Sequence, residues 1–128
     1  MGGVVDLVFA ERELDVMTVL WDLGSATVAE VQERLADPLA YTTVLTVLRT
    51  LEEKGFVAHT EEGRAHRYHP TVARKAAQKS AADRLVTRVF GDSPELLLQQ
   101  LVSDRRLSEA QLRRIRSLLD DRLKEEDR

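Results

Sequence analysis

The spacing of apolar residues in this chain changes period at one glycine. From Tyr41 to Lys54, Val44, Val47, Leu48 and Leu51 recur at intervals of three and four; after Gly55, from Phe56 to Pro70, residues alternate around Glu62-Gly63. Intervals of three and four put side chains on one helical face, and alternation puts them on one face of a strand. A helix over 41–54, stopped by Gly55 and followed at once by a hairpin, is therefore predicted. A tight turn at Glu62-Gly63 would pair Glu61 with Arg64, His59 with His66 and Val57 with Tyr68.

Two further helices precede this unit. Leu14, Met17, Leu20 and Trp21 fall at helical spacing beside Val16 and Val19, which predicts a helix from Ala10 to Leu23 ended by Gly24. Glu11, Glu13 and Asp15 suit the positive end of its dipole. Thr27 and Glu30 have capping-box spacing, opening a second helix with Val28, Val31 and Leu35 on its buried side, and Asp37-Pro38 stops it. Three helices and a two-stranded hairpin in that order are the plan of a winged helix-turn-helix, placed in residues 1–72 of a mainly α chain.

Residues 73–128 read as a separate helical segment. Ala73, Ala77, Ala81, Leu85 and Val89 line one side of a long helix. Ser93-Pro94-Glu95 then starts a short one carrying Leu96, Leu97, Leu98, Leu101 and Val102. Ser108 and Gln111 repeat the capping-box spacing before Leu112, Ile115, Leu118, Leu119 and Leu123. Helices this short make a poor core by themselves, so an isologous dimer is expected, with Leu97, Leu101, Leu112, Ile115 and Leu119 at its seam.

Composition excludes several classes. The 128 residues contain no cysteine, so disulfides, thiolate metal sites and cysteine nucleophiles are ruled out, which fits a cytoplasmic protein. No apolar run reaches the ~18 residues of a membrane span. The opening MGGVVDLVFAERE lacks the basic start of a signal peptide, and Asp6 stands where a myristoylation signal wants Ser or Thr. No catalytic serine motif or phosphate loop is present, and acid pairs such as Glu52-Glu53 diverge on helices, so an enzyme is not expected. His59 and His66, with Glu61, are the one convergent set that raises the question of a metal; two imidazoles and a mobile carboxylate make a poor site, and no metal or cofactor is expected.

A formal net charge of −3 speaks against a polyanionic partner until its distribution is considered. Residues 1–40 carry 2 basic and 8 acidic side chains, residues 41–90 carry 9 and 5, and residues 91–128 carry 8 and 9. The middle third is the basic one. With the aliphatic stripe of the 41–54 helix turned inwards, Thr42, Thr43, Thr46, Arg49 and Thr50 face outwards. A plain solvated face favours Glu and Lys, whereas threonine is a mediocre helix former with no packing reward outside. Hydroxyls, methyls and a guanidinium are what base edges accept: thymine methyls pack on Thr, and guanine takes two bonds from Arg. Tyr41 can offer its hydroxyl to a phosphate, and Lys54, Arg64 and Arg67 read as backbone anchors, or else as the charges that solubilise an edge hairpin.

The stretches "AYTTVLTVLRTLEEKGFV" and "GRAHRYHP" resemble the penicillinase repressor family, which includes the methicillin-resistance repressors and copper-responsive relatives. The opening "ERELDVMTVLWDLGSATVAEVQERL" is similar to that family's first two helices, with Trp21 in its characteristic place. The resemblance implies a dimeric winged-helix transcriptional repressor on a dyad DNA operator that includes its own promoter. Base and backbone contacts are implied at Thr42, Thr43, Thr46 and Arg49, and wing contacts near Arg64 and Arg67. In antibiotic-responsive members a membrane sensor-protease triggers cleavage at the bond matching Gln100-Leu101; this sequence lacks the Asn-Phe pair found there. The cysteine cluster of copper-responsive members is absent. A winged helix that docks a protein in place of DNA is the alternative reading.

Overall fold

A computed structural model describes residues 7–128, in two compact units that divide between Ala82 and Asp83. The readings that concern residues 1–6 lie outside the described residues. The first unit contains α1 (Glu11–Leu23), β1 (Ala26–Thr27), α2 (Val28–Arg34), α3 (Tyr41–Glu53), β2 (Val57–Glu62), β3 (Ala65–Pro70) and the start of α4 (Arg74–Val89). The second holds the rest of α4, α5 (Pro94–Ser103) and α6 (Glu109–Glu126). The boundary expected between residues 72 and 73 thus lies just before α4, whereas the division falls within that helix.

Val16, Met17, Leu20, Val31, Val44, Leu48 and Leu51 are fully excluded from solvent and form one core with Phe56, Val57 and Tyr68. Each such side chain is worth about 1.5–3 kcal/mol relative to exposure. Phe9 packs edge-on to Trp21 and against Phe56, and the Trp21 indole N–H donates to the Val72 carbonyl at 3.0 Å. Arg74 closes this corner. Its guanidinium lies 5.5 Å from the Trp21 ring centroid and donates to Asp22 Oδ1 at 2.7 Å.

One side chain of α1 departs from expectation. Leu14 is 45% exposed, and Glu13 occupies the buried stripe with Val16, Met17 and Leu20. The helix tolerates a buried carboxylate because Lys54 Nζ donates to both its oxygens, at 2.9 and 2.7 Å, and the Ala10 N–H donates at 2.8 Å. Burial raises the Glu13 pKa, and the Lys54 and Ala10 bonds overcome it, leaving the carboxyl below its ordinary value.

The Thr27 cap forms as its spacing predicts. The Glu30 N–H donates to Thr27 Oγ1 at 3.2 Å, and the Thr27 N–H donates to Glu30 Oε1 at 2.9 Å. Gly55, at φ 82°, ends α3 in a conformation that L side chains rarely adopt, and lets the Phe56 N–H reach the Leu51 carbonyl at 3.0 Å.

The hairpin pairs two residues out from the expected register. His59 lies opposite Tyr68, Glu61 opposite His66, and Glu62 opposite Ala65, so Gly63 and Arg64 are the turn residues. Gly63, at φ 61°, takes the first central position, the place a type II′ hairpin reserves for glycine; the expected pairing had put it second. A shift of two preserves which face each side chain occupies. The sheet is also three-stranded, not two: β1 adds antiparallel to β3, with Ala26 opposite Tyr68 and Thr27 opposite Arg67, in the order β1-β3-β2.

In the second unit α5 and α6 start as the sequence indicates. The Leu96 N–H donates to Ser93 Oγ at 3.2 Å, and Ser108 and Gln111 exchange bonds of 2.8 and 3.1 Å. Neither helix contains a fully buried residue. No helix among the described residues is long and apolar enough to cross a membrane.

Candidate nucleic-acid interface

Val44, Leu48 and Leu51 anchor α3 in the core, with Leu45 and Val47 partly buried against it. The 3.6-residue period then turns Tyr41, Thr42, Thr43, Thr46 and Arg49 into solvent, all of them exposed. Thr50 is only half exposed. Thr46 Oγ1 donates to the Thr42 carbonyl at 2.9 Å, which uses its hydroxyl proton and leaves its oxygen as an acceptor on an exposed residue. The face therefore offers methyls, hydroxyl oxygens and a single forked guanidinium, a set that can grip a partner with both apolar and acceptor edges.

Behind α3 the wing root is tied to the helix. His59 Nδ1 lies 2.7 and 2.9 Å from the Glu52 carboxylate oxygens, and its ring stacks on His66 at 4.2 Å between centroids. Burial pushes the Tyr68 phenol pKa up; Glu52 adds to the rise, and Arg49 opposes it. Among the described residues, no group of three His, Cys, Asp or Glu side chains is arranged to hold a metal ion.

The basic residues expected as backbone anchors divide. Arg64 stands exposed in the wing turn. Lys54, itself partly exposed, pairs with the buried Glu13 carboxylate, and Arg67, half-buried, pairs with Glu62 at 2.7 Å and Glu30 at 3.0 Å, with Ser25 Oγ 3.4 Å away. Sequence reasoning missed the partner side chains Glu13, Glu30 and Glu62. Only Glu30 carried a signal, its capping-box spacing; Glu13 and Lys54 meet across 41 residues of chain. Further along, Leu101, Leu112 and Leu119 are exposed, and Leu97 and Ile115 half-exposed. Gln100 and Leu101 lie on the exposed surface of α5.

A helical core, a recognition-type helix with one polar face and a β wing define a winged helix-turn-helix protein. Comparison with known proteins narrows the class. The family model described as penicillinase repressor matches residues 9–121, and the chain belongs to that family, one of transcriptional repressors and not of enzymes. Transcriptional regulator BlaI of Mycobacterium tuberculosis is 45% identical over 67 residues, 50% of this chain and 49% of that protein; the match spans about half the length of that curated relative. The solution structure of the DNA-binding domain of the repressor BlaI superposes with a TM-score of 0.50 at 30% identity, covering 56% of this chain and 89% of that one. The crystal structure of the MarR mutant C80S from E. coli shares the fold at 18% identity and a TM-score of 0.52, over 91% of this chain and 79% of that one.

Proposed function

We propose that this protein is a cytoplasmic, homodimeric, sequence-specific DNA-binding repressor acting on a dyad operator. The observation that carries the reading is the face of α3: Thr42, Thr46 and Arg49 are exposed opposite the buried Val44, Leu48 and Leu51, with Thr43 exposed on the flank. In a major groove the threonine methyls meet thymine methyls, and the Arg49 fork meets the O6 and N7 of guanine. Tyr41 and Arg64 are the backbone contacts, on either side of the reading surface.

Residues 73–128 serve as the dimer-forming segment in this reading. The apolar faces of α5 and α6 support it, since Leu97, Leu101, Leu112, Ile115 and Leu119 find no buried core within one chain. A two-fold axis would set two copies of α3 about one helical turn of DNA apart, or a multiple of it. Joining two weak half-site interactions raises affinity without new contacts, so a cut or a partner acting on residues 91–128 would release the operator.

A mobility shift on a duplex from the region upstream of the protein's own coding sequence, at two salt concentrations, tests the reading. A salt-sensitive complex that survives excess unrelated duplex is expected. Binding to no duplex would leave the fold as a protein-docking module. Incubating the full chain with its cognate sensor-protease, followed by mass spectrometry, tests relief by cleavage at Gln100-Leu101.

A further inference from the structure

Arg67 is the most heavily engaged guanidinium of the first unit. Its Nε donates to Glu62 Oε2 on β2 at 2.7 Å, Nη2 pairs with Glu30 Oε1 on α2 at 3.0 Å, and Nη1 reaches Ser25 Oγ, just before β1, at 3.4 Å. Each of the three nitrogens has a protein partner, which engages three of the five N–H donors. Arg67 also lies opposite Thr27 in the β1-β3 ladder, and Thr27 caps α2 by exchanging bonds with the same Glu30. One side chain thus joins the wing's two strands to the first turn of the helix that precedes α3.

We propose that Arg67 is a positioning residue that fixes the wing relative to the start of α2, and does not itself bind phosphate. The inference rests on the DNA-binding reading above for its consequence and on the ion-pair geometry for its substance. A guanidinium released to the backbone would abandon two carboxylates, leaving Glu30 and Glu62 to repel the phosphates that Arg67 had come to meet. Held as it is, Arg67 masks both charges and presents the exposed Arg64 of the turn in a defined direction.

The two roles predict opposite signs for the same substitution. In the double variant Glu30→Gln/Glu62→Gln the charges are removed, while the amide oxygen introduced at position 30 can still accept the Thr27 N–H, so the α2 cap survives. If Arg67 positions the wing, this variant binds the duplex from the protein's own upstream region about two- to fivefold more weakly than Glu53→Gln/Glu61→Gln, which removes two acids outside the network. Arg67→Ala weakens binding further, because it also unmasks both carboxylates, and adding it to the double variant changes nothing more. If Arg67 binds phosphate, freeing it tightens binding beyond the Glu53→Gln/Glu61→Gln control and steepens the dependence on log salt by about 0.9; that result overturns the proposal.

A measurement on the full chain without DNA keeps the tie itself falsifiable. Amide hydrogen exchange across residues 58–69 should quicken in both Arg67→Ala and the double variant, at an unchanged thermal midpoint of the first unit. Unchanged exchange overturns the proposal whatever DNA does. A native chain that binds no duplex sinks the DNA-binding reading alone, and the exchange result still stands for or against the tie.

Discussion

The two units use their leucines in opposite ways. In the first, Leu20, Leu48 and Leu51 are completely buried and the core closes within one chain. In the second, Leu118 is 68% exposed, Leu123 62% and Val89 66%, and α5 and α6 bury no residue fully. Yet α6 is as well started as any helix in the molecule, with both bonds of its capping box formed. Good helix termini make helices; they do not make a core. An open apolar surface repeated along two successive helices is what the proposed dimer would cover.

The largest effect should come from placing a charge on that surface. Leu119→Asp would leave a carboxylate facing apolar side chains in the dimer, and is expected to give a monomer by sedimentation with operator affinity lowered about 100-fold or more. A variant that stays dimeric and binds normally would move the seam elsewhere. Next, Leu48→Ala should destabilise the first unit by about 2–5 kcal/mol in denaturant unfolding at any protein concentration. Leu112→Ala should matter only through association, so its cost should vanish on dilution. Equal, concentration-independent losses would erase the contrast between the units.

A smaller division is expected within the first unit. Arg49→Ala should cost about 1–3 kcal/mol on the cognate operator and relax sequence preference, whereas Arg64→Ala should weaken all duplexes alike and reduce the salt slope by about 1. Competition binding at several salt concentrations separates the two. The smallest effect concerns pH. Because the folded-state pKa of Glu13 lies below its ordinary value of 4.5, its contribution is complete above that value and lost as pH falls through the depressed one. Thermal melts taken from about pH 6 to about pH 3 should fall less steeply in Glu13→Gln than in the native chain. Identical slopes would show that the Lys54 pair contributes nothing to acid stability.

Much of this architecture is legible in the residues alone. The stripe of Val44, Leu48 and Leu51 fixes the rotation of α3 and hence its outward threonines, because a 3.6-residue period leaves one face for a core. The caps at Thr27, Ser93 and Ser108 are equally local, each involving residues three apart. The hairpin register is harder, since alternation specifies a face and not a partner; a slip of two residues leaves the pattern intact, and only the demand of the turn for Gly63 in its first central position selects among registers.

What local pattern could not supply was the company kept by charged side chains. Lys54 and Arg67 read as backbone anchors or solubilising charges because the carboxylates they pair with lie far away in sequence or on another strand. The third strand escaped notice for the same reason, as two residues, Ala26 and Thr27, form it only when β3 passes beside them. Sequence by itself determined the helices, their ends and most of their faces, which depend on neighbours within four residues; the exchange of Leu14 for Glu13 on the buried side of α1 is the exception. Tertiary structure decided which charges are neutralised and which remain available, because an ion pair is set by distance in space, and the chain returns to the same place only after it has folded.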